Sequence, residues 1–268
     1  MDILYVILKN TKITGANAEQ NAYVVGPPSP LSFLSYADSY AYAAEKVGIE
    51  LKTRWVLPIY HRVGEHSIHR GMLKREAVGF KTSEANVLAA PLRDELRMDL
   101  HVTLVMAFSV DAFDDTLDQQ LNRLKGQLPN RVVGGNIFVN PFNADELVMT
   151  RESCWKALIP LELLYDSHVI EHRQDITEQA SNLAELINLT AMQKGSRLSP
   201  IAIGYQKISS QAMRSGQRDT HCQHAFVDPL LSAAEWKFAS TILDSPQVWV
   251  KQTSANLLLS TSKPEMNA

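Results

Sequence analysis

The chain has 268 residues, a formal net charge of −3, 45% hydrophobic and 21% charged residues, and two cysteines. That composition is ordinary for a soluble globular protein with a sizeable core, and no apolar run approaches the ~18 residues needed to span a membrane. Only Cys154 and Cys222, far apart in sequence, are present, and Met1 to Lys9 carry no basic leader; a cytoplasmic protein without a disulfide scaffold or secretory signal is expected.

The apolar run Ile3–Leu8 predicts a strand covered on both faces, in the middle of a sheet. A loop is expected from Asn10 to Pro28. Ser29 before Pro30 reads as a helix cap with proline in the first turn, and Phe33, Ala37, Tyr40, Ala41, Ala44 and Val47 make an apolar stripe that Gly48 ends. Thr53, Trp55, Leu57 and Ile59 alternate with Lys52, Arg54, Val56 and Pro58, predicting a second strand; Pro58 places it at a sheet edge, since proline cannot donate to a ladder. Leu100, Val102, Leu104, Met106 and Phe108 mark a third strand. Asp114 or Asp115 then caps a helix bearing Leu117, Leu121, Leu124 and Leu128, stopped by Pro129, and Val132–Val139 is the fourth strand. Strand, helix, strand, strand, helix, strand is the split βαβ order. The expected fold class is therefore α+β, with a ferredoxin-like (RNA-recognition-motif) palm over residues 1–150.

Between strands two and three, residues 61–97 form a long insertion in place of a short hairpin. From Lys52 to Arg93 there are eight Lys or Arg against three acids, a local charge of +5 in a chain whose total is negative. Positive charge gathered on one excursion suits a polyanion, and Arg62, Arg70, Lys74, Arg75 and Lys81 are the candidates there, with His61 beside them. The stretch from Asp94 to Asp118 is acidic, so the helix that follows it is expected to face solvent or a protein partner.

Beyond residue 150, Asp175 with Glu178 resembles a capping box for a helix carrying Ile176, Ala180, Leu183 and Ile187. Pro200–Ile208 reads as a strand, followed by a polar loop with Arg214, Gln217, Arg218 and His221. Asp228 and Pro229 start a helix through Leu231, Ala234, Phe238 and Ile242; Val248–Lys251 is a last strand, and the tail from Ser254 is expected to fray. Residues 151–199 are thus expected as a helical appendage and 200–268 as elements returning to the palm.

His168, Glu171 and His172 spell H-x-x-E-H, which on a helix brings two imidazoles to one metal with a carboxylate to activate water, so a zinc hydrolase is the enzymatic alternative. His221, Cys222 and His224 make a second metal-like cluster, without the paired spacing of a zinc site. No P-loop, G-x-G-x-x-G or G-x-S-x-G is present. Gly134 and Gly135, inside Arg131-Val-Val-Gly-Gly-Asn-Ile, fit either a bulge or a backbone approached by a ligand. No second His, Lys or Tyr can be placed opposite His61 from sequence, which favours holding RNA over cleaving it, with no cofactor and no enzymatic activity.

Taken in order, Gly26-Pro-Pro-Ser-Pro-Leu-Ser-Phe33 leading to Val47-Gly48, His61-Arg62, Val133-Gly-Gly-Asn-Ile137, Pro200-Ile-Ala-Ile-Gly-Tyr205 with Ile208-Ser209, Gly216-Gln-Arg-Asp219 and Glu235-Trp236 resemble the Cas-five-type subunit of type I-F CRISPR surveillance complexes, the Csy-two family. The resemblance implies a palm with a thumb-like insertion that grips the 5′ handle of the CRISPR RNA, without nuclease activity, in prokaryotic antiviral defence. It implies Cas-seven-type backbone subunits as partners and leaves a large subunit and target DNA open as further ones. A backbone subunit of the same superfamily is the rival reading. The RNA-binding residues on the leading one are His61, Arg62, Arg70, Lys74, Arg75, Lys81, Arg131, Arg214, Arg218 and His221.

Overall fold

The apolar start of the chain forms β1 (Asp2–Asn17), with Leu4, Val6 and Leu8 buried on one face and Tyr5 and Ile7 on the other. The computed structural model describes residues 2–21, 23–72, 92–110, 117–191, 197–213, 223–242, 246–254 and 257–264. The loop expected from Asn10 is instead a continuation of β1 through two irregularities, where Asn10 (φ 45°) and Gly15 (φ 67°) take left-handed conformations. Helix α1 (Pro30–Glu45) forms as its sequence predicts. Ser29 Oγ accepts the Leu31 N–H at 3.2 Å and donates to Ala202 O at 2.6 Å, so the cap also fastens the helix to a distant strand.

Strands β2 (Leu51–Met72) and β3 (Leu92–Val110) pair antiparallel from Leu51 opposite Val110 to Met72 opposite Leu92. The insertion expected at 61–97 is therefore for most of its described length a two-stranded ribbon that prolongs the same strands; its alternation is polar, which hides it from a search for apolar periodicity. Residues 73–91 lie outside the described residues, as do the caps Asp114 and Asp115 expected for α2 (Leu117–Lys125).

The single fourth strand expected at 132–139 is divided. A small hairpin of β4 (Arg131–Val132) and β5 (Gly135–Ile137) pairs with the far half of β1, and β6 (Leu147–Thr150) pairs with its near half. Neighbours in this region run β5-β1-β3-β2, all antiparallel.

The 151–199 stretch holds a short 3-10 helix at Trp155–Leu158, α3 (Leu161–Leu164), β7 (His168–His172), α4 (Gln174–Thr177) and α5 (Leu183–Ala191). The continuous helix expected over 175–187 is interrupted because Asn182 caps α5, its Oδ1 accepting the Glu185 N–H at 3.0 Å while Glu185 returns to the Ser181 N–H at 2.7 Å. Strand β8 (Leu198–Lys207) matches the sequence. The helix expected from Asp228 is a strand, β9 (Val227–Phe238), because β7 and β8 pair with it on both sides; only α6 (Ala239–Ile242) at its end is helical. Strand β10 (Gln247–Thr253) is followed in the supposedly fraying tail by β11 (Leu257–Pro264), which bridges β10 and β8.

All these strands belong to one α+β sheet, and its path turns back on itself: β10 bridges β2 at Trp249 and Val56, while β7 bridges β2 at Tyr60 and His168. Six strands, β2-β7-β9-β8-β11-β10, thereby close a ring. Pro58 falls between the two bridges, where the second neighbour of β2 changes, so the strand expected at an edge is interior and its proline occupies the one seam that asks for no donor.

The core has two layers. On one face of the sheet α1 presents Phe33, Ala37, Tyr40 and Ala44 to Leu4, Val6, Leu104 and Phe108. On the other, Tyr5, Ile7, Trp55, Leu57 and Val105 are covered by Trp155, Ile159 and Leu164. Tyr5, Trp55 and Trp155 form an aromatic triad with centroids 5.8–6.2 Å apart, and Trp155 is 0% exposed. Truncation by Trp155→Ala is expected to cost about 3–5 kcal/mol. Denaturant unfolding followed by far-UV circular dichroism checks this, and an unchanged midpoint would show that the segment does not hold the face closed.

Candidate nucleic-acid interface

Toward the ribbon, the face that Trp155 covers becomes open. The boundary is Thr103 on β3, 0% exposed, whose Oγ1 lies 2.7 Å from His61 Nε2 and accepts the Asn10 N–H at 3.1 Å. His61 Nδ1 sits 2.8 Å from Leu163 O and 2.6 Å from Ser167 Oγ. A carbonyl only accepts, so Nδ1 carries the proton, Nε2 accepts, and the Thr103 hydroxyl donates to it. Every polar atom is then satisfied by one neutral tautomer, assigned here from its partners. Burial also holds the His61 pKa below its ordinary 6.5. Both ring nitrogens are committed within the chain, leaving the imidazole no hydrogen bond for a ligand.

Asn10 and His61 mark two bulges, one in each strand flanking β3: Leu8 and Thr11 pair with Leu104 and Val102, and Tyr60 and Arg62 with Val102 and His101. An extra residue shifts the period-2 alternation and sends the following side chains to the opposite face. Lys12 and Arg62, even-numbered, thus join the face that Tyr5, Ile7, Trp55 and Leu57 occupy further back. Both stand opposite His101, so Lys12, His101 and Arg62 lie abreast across three strands. They line a cleft of about 530 Å³ with Gly15, Gly64, Glu65, Ser67, Arg97 and Asp99.

Within the cleft Asp99 Oδ1 accepts the Gly15 N–H at 2.9 Å, and a Cβ on Gly64 would meet Asp99 O at 2.8 Å, so only glycine lets β2 pass there. Arg97 is committed to Glu95 and donates to Gly15 O at 3.0 Å and Gly134 O at 3.1 Å. Arg131 donates to the same Gly134 oxygen at 3.0 Å. That carbonyl belongs to the β4–β5 turn, where Val133 (φ 46°) and Gly134 (φ 83°) both take the positive φ of a type I′ hairpin. Lys12 and Arg62 have no ion-pair partner among the described residues, which leaves them available to an anion.

Of the other residues expected at the site, Arg70 stands opposite Asp94 in the ribbon register. Lys74, Arg75, Lys81, Arg214, Arg218 and His221 lie outside the described residues, as does Cys222. Sequence reasoning missed Lys12, His101 and Thr103; each is unremarkable locally, and strand register alone brings them together.

The H-x-x-E-H segment is strand β7, not a helix. His168 and His172 are then about 13 Å apart along extended chain, far beyond what one zinc ion spans, and Glu171 points to the other face. Glu171 pairs with Lys237 at 2.5 Å, and His172 Nε2 lies 2.7 Å from Ser232 Oγ. The zinc-hydrolase alternative loses its geometric basis.

A family model described as CRISPR-associated protein (Cas_Csy2) matches residues 6–194 and 160–258, nearly the whole chain. The chain belongs to the Csy2 family. A search of curated proteins found no match. Segments that carry the sequence resemblance fall at structural joints: Ser29 donates to Ala202 O at 2.6 Å, while Gln20, outside those segments, accepts the Ala202 N–H at 2.7 Å; Gly134 gathers Arg97 and Arg131, and Trp236 packs on Tyr60 with centroids 5.2 Å apart. No described helix is long and apolar enough to cross a membrane.

Thr103→Val keeps the shape and removes the hydroxyl that both bulges share. It is expected to destabilise the fold by about 1–3 kcal/mol, read from urea midpoints; a wild-type midpoint would mean the bulges hold themselves. His61, His168 and His172 are all shifted below 6.5, chiefly by burial, so the unfolded chain binds their protons more readily than the folded one. Stability is therefore full above about pH 6.5 and declines as pH falls below it, with a shallower decline in His61→Gln; identical pH profiles for the two proteins would remove His61 from this linkage.

Proposed function

We propose that this chain is a non-catalytic subunit of a type I-F-like surveillance complex that holds the 5′ handle of the CRISPR RNA. The observation that carries the reading is the row of Lys12, His101 and Arg62 at the foot of the ribbon, with two cations that have no ion pair among the described residues of an otherwise acidic chain. Single-stranded RNA is held where cations neutralise phosphates along a groove. The neighbour order β5-β1-β3-β2, with α1 and α2 between the strands, supports reading the first half as a ferredoxin-like palm and the ribbon as its thumb.

RNA-recognition motifs stack bases on aromatics of an open sheet face. Here Trp155 occupies that position, so the strand would run over the uncovered end of the face and out along the ribbon that carries Arg70, toward the stretch of sequence that holds Lys74, Arg75 and Lys81. Arg131 extends the same positive path beyond the Gly134 turn, and Arg214, Arg218 and His221 belong to a second basic stretch of the sequence. Cas-seven-type backbone subunits are the expected partners in the cytoplasm, and a large subunit and target DNA stay open as further ones.

Paired replacement of Lys12 and Arg62 by Ala is expected to weaken binding of handle RNA. It should also flatten the slope of log affinity against log salt by about 1.4, because each single-strand phosphate that a cation neutralises accounts for ~0.7 of it. Fluorescence anisotropy across a salt series measures both, and unchanged affinity with unchanged slope would overturn the assignment.

A further inference from the structure

His168, left without a metal, belongs to a different constellation. Its ring packs on Phe238 (centroids 4.7 Å) and lies 6.4 Å from Trp236, and the Arg197 guanidinium stacks over Phe238 at 3.9 Å. His168, Arg197, Leu198, Ser199 and Trp236 line a shallow pocket of about 360 Å³. Trp236 Nε1 donates to Ser199 Oγ at 3.2 Å, which leaves that hydroxyl's own proton pointing elsewhere. No carboxylate among the described residues lines the pocket: Glu171 and Glu235 are on the other face of their strands, paired with Lys237 and Arg173.

A pocket bounded by an indole, an imidazole and a planar cation, with a hydroxyl at its side, presents flat π surfaces and a hydrogen-bond donor; the Asp166 carboxylate acts on His168 from outside the lining. Flat π surfaces with a donor beside them are the properties that receive a flat aromatic ligand. Burial, then the neighbouring Arg197, lower the His168 pKa from its ordinary 6.5, against a smaller opposing pull from Asp166.

Its place in the fold ties it to the phosphate cleft. His168 pairs with Tyr60, two residues before Arg62, and beyond Tyr60 β2 has no neighbour on that side among the described residues. A strand leaving Arg62 can round this open edge and reach the pocket on the α1 face. We infer that the pocket formed by His168, Arg197, Ser199 and Trp236 seats an unpaired nucleobase of the RNA strand whose phosphates the Lys12–Arg62 row holds. The inference rests on the RNA-binding reading above.

Its test separates bases from phosphates. Trp55, Trp155 and Trp249 are at most 4% exposed, so among the four tryptophans Trp236 is the accessible reporter. Oligoadenylate titrated into the full chain should quench tryptophan emission saturably, whereas an abasic ribose-phosphate strand of the same length should bind without quenching. Arg197→Gln should weaken oligoadenylate about 5- to 100-fold while leaving the abasic strand within about two-fold. If oligoadenylate binds, by anisotropy, with emission unchanged, or if the abasic strand quenches equally, the base seat is overturned and the phosphate cleft stands. Failure of both strands to bind overturns the RNA reading and the seat together.

Discussion

One buried hydroxyl organises the charged end of this molecule. Thr103 stands on the middle strand of three, between two neighbours that each carry one residue too many, and its oxygen serves both irregularities at once. Bulges leave backbone groups unpaired and would be costly beneath a covering segment. With the Asn10 amide and the His61 ring both satisfied there, the strands emerge with their alternation reversed. The consequence is electrostatic: side chains that regular strands would send into the apolar α1 layer, Lys12 and Arg62, reach solvent on the opposite face instead.

The other face-level constraint is occupation. A four-strand antiparallel arrangement of this kind offers one face to helices and one to the outside, and here the outside is largely closed by Trp155, Ile159 and Leu164. Large aromatic side chains on that surface, Tyr5 and Trp55, therefore contribute to packing rather than recognition. What is left open is the polar cleft at the foot of the ribbon on one side and the small aromatic recess beside β2 on the other. The two lie on opposite faces and are joined through the pairing of Tyr60 with His168.

How far the sequence reveals this depends on the range of the interaction. Helix α1 is legible because its cap, its proline and its apolar stripe are all local. Strand β9 is not: Leu231, Ala234 and Phe238 satisfy a helical period, and only pairing with β7 and β8 on either side decides for extension. The ribbon is concealed for the converse reason, since its strands carry polar residues on both faces and gain order from each other. Arg62 is recognisable by charge and by its family motif. Lys12 and His101 become partners through register set by bulges, for which no local sequence pattern exists.

Strand β2 is shared property. It is the last member of the β5-β1-β3-β2 series and also the strand that closes the ring with β7 and β10. A polypeptide ending near residue 150 would keep the first series but lose Trp155 from above Tyr5 and Trp55, and would lose both partners from the outer side of β2. An uncapped strand beside a bared aromatic surface is a template for edge-to-edge self-association. The two halves of the chain are thus bound to fold as one cooperative unit, and neither is a candidate for expression by itself.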